Sequence, residues 1–148
     1  MITRLRGKIL FKGTDYLIVD VSGIGIKVRV PAPVADEAGA LGTELSLHTH
    51  LRLAESGREL ELSLFGFKSA DDLALFDLLL TVSGIGPKVA LSLLSAAPAD
   101  TLRSAIASGD AGALTRFPGI GKKTAERLVL DLKSKVATAG MAAVQAIE

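Results

Sequence analysis

Two stretches decide how this chain is read: Val82-Ser83-Gly84-Ile85-Gly86-Pro87-Lys88-Val89-Ala90 and Phe117-Pro118-Gly119-Ile120-Gly121-Lys122-Lys123-Thr124-Ala125. Superposing their Gly-Ile-Gly cores also brings Lys88 onto Lys123, Ala90 onto Ala125 and Leu93 onto Leu128, so the match runs past the turn and forms an internal repeat. Each copy reads as a helix, a tight glycine turn and a second helix. Ahead of the first turn lies the apolar run Leu73 to Leu80, preceded by Ser69 and Asp72 in capping-box spacing. Behind it, Pro87 falls in the first helical turn, where proline is tolerated, and Val89, Ala90, Leu93 and Leu94 supply an apolar stripe. Ala125, Leu128, Val129 and Leu132 repeat that spacing in the second copy.

The chemistry follows from the turns. The glycine pairs Gly84 and Gly86, and Gly119 and Gly121, carry no Cβ to obstruct a ligand approaching the backbone. Free N–H groups of the turn and the first helical residues, with the positive end of the helix dipole, form an anion site. Ile85 and Ile120 are expected to tuck back between their helices, while Lys88, Lys122, Lys123 and Arg127 fall within a turn or two of the anion. This is the helix-hairpin-helix pattern, and a tandem pair grips nucleic-acid backbone by its phosphates without reading bases. A single copy serves equally well as a plain turn in a helical bundle; two in register with lysines are far more specific.

A third Gly-Ile-Gly is a useful control. Val21-Ser22-Gly23-Ile24-Gly25-Ile26-Lys27-Val28 nearly matches the first hairpin, yet β-rich runs flank it, and Ile24, Ile26, Val28 and Val30 alternate with Gly25, Lys27 and Arg29. It reads as a strand connection with no helix behind it.

With 148 residues, 49% hydrophobic but only 4% aromatic, the chain holds one or two small domains with cores built from Leu, Val, Ile and Ala. No run is long enough to span a bilayer, and Met1-Ile2-Thr3-Arg4-Leu5-Arg6 opens a charged strand instead of a signal peptide. The absence of cysteine excludes disulfides, thiolate zinc sites and thiol catalysis. A soluble cytoplasmic protein without cofactor or metal is expected. The net charge is +1, but it is unevenly placed: residues 1–64 hold eight basic and eight acidic residues, whereas residues 83–135 hold eight basic against four acidic. The surplus lies beside the hairpins, where phosphate binding needs it.

Residues 1–64 read as a small β-barrel of the oligonucleotide-binding type. Leu5, Ile9 and Phe11 fall on one face of the first strand and Arg4, Arg6 and Lys8 on the other, an ordinary solvated face or a phosphate contact. Pro31 and Pro33 close the third strand, and a short helix is expected from Val34 to Leu41. His48 and His50 share one strand face, a spacing for two metal ligands but more simply a polar face, since no third ligand is near in sequence. Ala54 to Glu59 reads as a hairpin turn with an acidic tip. Phe11 and Tyr16 are the sole candidates for base stacking, so nucleic-acid binding by the barrel face is not expected.

Residues 65–135 form the helical part, with a connecting helix from Thr101 to Ser108 that Gly109 ends and Asp110 as the next N-cap. Residues 136–148 read as a loose linker or tail. The fold class is therefore α+β in two domains: a barrel followed by an all-α unit with tandem helix-hairpin-helix motifs.

The order of parts, Arg4-Leu5-Arg6-Gly7, then Leu64-Phe65-Gly66-Phe67, then the two hairpins through Leu91 and Leu128, closely resembles the bacterial RuvA family of Holliday-junction branch-migration proteins over residues 1–135. The resemblance implies a homotetramer that holds a four-way DNA junction open and square-planar in recombination, DNA repair and the SOS response to DNA damage. It also implies a RuvB-type ring ATPase that drives the arms, and a RuvC-type resolvase. It assigns Gly84, Ile85, Gly86, Lys88, Gly119, Ile120, Gly121, Lys122, Lys123 and Arg127 to phosphate contacts, with no catalytic residue. The family's acidic pin, usually two adjacent carboxylates on a β-hairpin tip, corresponds here to Glu55 followed by Ser56, with Glu59 beyond. The family's third domain, which binds the ATPase, has no counterpart in these residues.

Two other functions are open to such a sequence. A generic hairpin module would bind DNA with no junction preference. A glycosylase with lyase activity would use Lys123 as its Schiff-base nucleophile, but needs a carboxylate well past the helix start, and residues 137–146 hold none, while Asp131 comes too early. No Gly-x-x-x-x-Gly-Lys phosphate loop is present, so ATP hydrolysis belongs to a partner.

Overall fold

Alternation of apolar and polar residues builds the first unit. Strands β1 (Arg4–Lys12), β2 (Tyr16–Val21), β3 (Ile24–Arg29), β4 (Glu44–Ser56) and β5 (Glu59–Phe67) close into a barrel in the order β1-β2-β3-β5-β4. All pairings are antiparallel except β3 with β5. The computed structural model describes residues 1–145, with side chains through Ala137. It divides into two units, Met1–Ser69 and Ala70 onward, so the barrel keeps Phe65 to Ser69, which the sequence reading assigns to the helical part.

The inward residues Leu5, Leu17, Val19, Val28, Val30, Leu47 and Leu64 form the barrel core, together with Val34 and Ala35 of helix α1 (Ala32–Asp36). Helix α1 starts and stops earlier than expected, because Pro31 takes the N-cap position and Pro33 lies within the first turn. Closure removes the sheet edges that two separate hairpins would leave unpaired.

Three details depart from simple alternation. A β-bulge between Ile9 and Phe11 breaks the pairing of β1 with β2, so Ile9 is buried while Leu10 and Phe11 are both exposed, and Phe11 does not join the core as its spacing suggests. Ser22 and Gly23, at φ 53° and 88°, make a two-residue hairpin between β2 and β3 with the Gly23 amide donating to Asp20 Oδ1 at 2.7 Å. The third Gly-Ile-Gly is thus a strand connection. Finally, β4 and β5 run out as a ribbon whose loop is only Gly57 and Arg58, so its tip carries a cation.

Along that ribbon Glu55 pairs with Leu60, and Ser56 with Glu59. Cross-strand partners share a face and neighbours alternate, so Glu55 lies with Leu53, Leu60 and Leu62, whereas Glu59 and Glu61 occupy the opposite face. The three leucines continue the barrel's inward face outward, yet are 60–68% exposed.

The helical unit comprises α2 (Ala70–Leu80), α3 (Pro87–Ala96), α4 (Ala99–Ser108), α5 (Ala111–Leu114) and α6 (Lys122–Gln145). Leu75, Phe76, Leu79, Leu93, Leu102, Ile106, Leu114, Leu128 and Leu132 are almost wholly buried. One cation joins them: Arg103 donates to the Asp71 carboxylate at 2.9 Å, the Asp71 carbonyl at 3.1 Å and the Val136 carbonyl at 3.5 Å, linking α4 to α2 and α6. Helix α6 continues through Gln145, and Val136 is buried, so the expected loose tail is helical to that point; residues 146–148 lie outside the described residues.

Gly109 ends α4 in the left-handed conformation, and Asp110 caps α5 by accepting from the Ala113 amide at 3.0 Å. Asp110→Ala is expected to cost about 1 kcal/mol of stability, as loss of such a cap does. Urea denaturation should show a lower midpoint at unchanged slope.

Candidate nucleic-acid interface

The two hairpin turns bend by the same means. Gly84 and Gly119 sit at φ 90° and 79°, a region that side chains with a Cβ rarely adopt. Each turn is closed by a hydrogen bond from its isoleucine: the Ile85 amide donates to the Val82 carbonyl at 3.1 Å, and the Ile120 amide to the Phe117 carbonyl at 3.3 Å. Both isoleucine side chains are buried. Ile85 and Ile120 therefore anchor the turns, with their amides bonded inside them and their side chains buried.

The available donors lie one step further on. Ala90 is the first residue of α3 to bond back, to the Gly86 carbonyl, and Ala125 the first in α6, to the Gly121 carbonyl. Proline at position 87 has no amide, which leaves Gly86, Lys88 and Val89 at the first site; the second offers Gly121, Lys122, Lys123 and Thr124. Glycine before each helix supplies no capping side chain to compete for them, unlike Asp110 at α5. The electrostatics agree: α2 and α4 carry aspartates in their first turns, whereas α3 and α6 carry no acid there. A Cβ built on Gly86 or Gly121 meets nothing within 4 Å, so the approach to both is open.

The turns also meet. A Cβ on Gly84 would stand 3.7 Å from Oγ1 of Thr124, and one on Gly119 would stand 3.5 and 3.6 Å from the Val89 methyls. Val89 and Thr124 are equivalent positions of the repeat, so the glycine of each hairpin packs on the other's first helical turn. The arrangement is reciprocal, an approximate two-fold within one chain. Spacing alone gives no signal of this packing, although aligning the repeats does pair Val89 with Thr124.

Lys88, Lys122, Lys123 and Arg127 are exposed around this paired turn. Lys123, Thr124, Glu126, Arg127 and Leu130 of α6, with Ser83 of the first turn, line a surface depression of ≈ 430 Å³. Glu126 is the single acid of that lining and offsets part of its positive charge. Ser83 and Leu130 were not singled out by the sequence; both are reached through the fold of the hairpin. Glu55 and Glu59 are exposed, on opposite faces of the β4–β5 ribbon. Arg4 and Arg6 lean on the neighbouring strand, Arg4 donating to Ser46 at 3.1 Å and Arg6 standing 3.7 Å from Glu44. Among the described residues no three metal-ligating side chains gather, and no helix is long and apolar enough to cross a membrane.

Barrel and paired hairpins together define a two-unit protein that joins an OB-like domain to a tandem helix-hairpin-helix domain. Residues 1–66 match the family described as RuvA N terminal domain, and residues 76–134 that of the SAM-like helix-hairpin-helix tandem. Three relatives bear the name "Holliday junction branch migration complex subunit RuvA". That of Herpetosiphon aurantiacus is 51% identical over 94% of this chain and 68% of its own length. Those of Chloroflexus aggregans and Caldanaerobacter subterraneus are 46% and 48% identical, over 100% and 92% of this chain and 76% and 71% of theirs. The chain belongs to the RuvA family.

Proposed function

We propose that this protein binds four-way DNA junctions through the sugar-phosphate backbone and holds them open for branch migration in recombination and repair. The observation that supports it most is the reciprocal packing of Gly84 on Thr124 and Gly119 on Val89, which sets two uncapped helix N-termini side by side. Neighbouring phosphates then bridge two anion sites on one rigid unit, and no base edge is read. Gly84, Gly86, Lys88, Gly119, Gly121, Lys122, Lys123 and Arg127 carry that contact, Gly84 and Gly119 by shaping the turns. A junction has four equivalent arms, so a homotetramer with one chain per arm matches its symmetry. The exposed Leu53, Leu60 and Leu62 suit burial against a second copy. Glu55 and Glu59 act as the pin, repelling phosphates at the junction centre, with Arg58 between them moderating the repulsion.

The protein works in the cytoplasm beside a RuvB-type ring ATPase and a RuvC-type resolvase, and has no catalytic residue of its own. A lyase reading finds no support: Asp131 follows Lys123 by eight residues on one helix, about 12 Å along its axis. Competition of a four-way junction against linear duplex of equal length in a gel shift tests the proposal; equal affinity removes the junction preference and leaves a general duplex binder. Light scattering with and without the junction measures the copy number. Lys123→Ala is expected to weaken binding alike on every sequence and to lower the slope of log affinity against log salt by about 1. A changed base preference would contradict a phosphate contact.

A further inference from the structure

The outer face of β1, β2 and β3 holds a cluster that the hairpins do not use. Phe11, Ile18 and Lys27 lie in one row across the three strands, and Tyr16 and Arg29 pair in the next. The Phe11 and Tyr16 rings stack at 5.9 Å between centroids and 21° between planes, and the Lys27 ammonium stands 4.4 Å over the Tyr16 ring. Phe11 still leaves 48% of its surface in water and Leu10 51%, because the bulge in β1 turns both outward. Beside them Gly25 has no side chain, and a Cβ there would only touch Ile18 and Leu10 at 3.5 and 3.6 Å, so the floor is flat.

Charge decides what fits. Lys8, Lys27 and Arg29 project from this face against two acids at its edge: Asp20, whose Oδ1 already accepts from the Gly23 amide, and Glu44, which pairs with Lys8 from β4 and stands 3.7 Å from Arg6. A flat aromatic and aliphatic floor ringed by cations matches a ligand that is planar and apolar at its centre and anionic along its edge. Unpaired nucleotides have that chemistry: the base stacks and the phosphate meets the cations. A duplex does not, since its bases are covered by their neighbours.

We propose that this barrel face is a second nucleic-acid site, selective for single strands, with Phe11 as the stacking platform and Lys27 and Arg29 as phosphate partners. It is separate from the hairpin turns and stands or falls independently of the junction reading.

The chain has one tyrosine and no tryptophan, so its intrinsic emission reports Tyr16 alone. Unlabelled oligothymidylate of about ten nucleotides, titrated into the full chain, is expected to quench that emission saturably. Phe11→Leu keeps an apolar side chain but removes the ring face; it should weaken oligothymidylate binding about 10-fold while duplex affinity and melting temperature stay unchanged. Lys27→Glu, on the surface, should show the same selective loss, and Lys123→Ala should leave the quenching in place. Emission unchanged at saturating oligonucleotide, or undiminished affinity in both barrel variants, overturns the proposal. So does a lower oligomeric state of Phe11→Leu in light scattering, which would make the face a contact between copies.

Discussion

Gly119→Val is expected to reduce DNA affinity by two orders of magnitude or more while leaving the barrel folded. The backbone there sits at φ 79°, where a β-branched residue is strained by about 1–3 kcal/mol. The new Cβ would already be in contact with both Val89 methyls at 3.5 and 3.6 Å, so the added Cγ atoms must displace Val89 or the turn itself. Because Val89 belongs to the first hairpin's helix, a change in the second hairpin disturbs both anion sites. Gly119→Ala separates the causes: it carries the backbone strain and only an ordinary contact, and should fall between wild type and valine. Gly86→Ala is the complementary case. At φ −98° with nothing within 4 Å it should fold normally, and any loss of DNA affinity reports the ligand's approach alone. Gel shifts with junction and duplex, paired with urea denaturation of each variant, decide it; wild-type binding by Gly119→Val would sink the hairpin interface.

Arg103→Ala should be the costliest of the substitutions for folding. Its guanidinium is about nine-tenths buried and bonds three oxygens on two other helices. Breaking a buried pair costs about 3–5 kcal/mol, but the Asp71 side chain keeps 32% of its surface in water, so about 2–3 kcal/mol is expected. Urea denaturation at constant slope measures it. Arg103→Met restores the apolar stem without the charge, and it also removes Nε, which is buried without a partner. Methionine should therefore recover part of the loss; a methionine variant as poor as alanine would mean that the ion pair, and not packing, carries the stabilisation.

The hairpins were legible because their information is local. Glycines at repeated spacing, lysines one turn on, and Asp110 after Gly109 each specify backbone geometry within a few residues, and the structure places all three accordingly. The barrel was legible from alternation, as was the Ser22-Gly23 strand turn. The rest depends on partners distant in sequence. Which amides stay free was hidden because Ile85 and Ile120 close the turns onto Val82 and Phe117. The bulge between Ile9 and Phe11 shifts the register of β1 on β2, and no local composition announces it. The tail is helical through Gln145 because Ala137, Ala139, Ala142 and Ala143 favour a helix and Val136 is buried where Arg103 reaches it.

The reciprocal seating of the two hairpins carries one more consequence. Duplex DNA has a dyad perpendicular to its axis at every base pair, relating strands of opposite polarity. A clamp whose halves are themselves related by a half-turn would present the same grip to either strand, and, reading no base edge, would regain the same phosphates after a one-base-pair step with its matching turn.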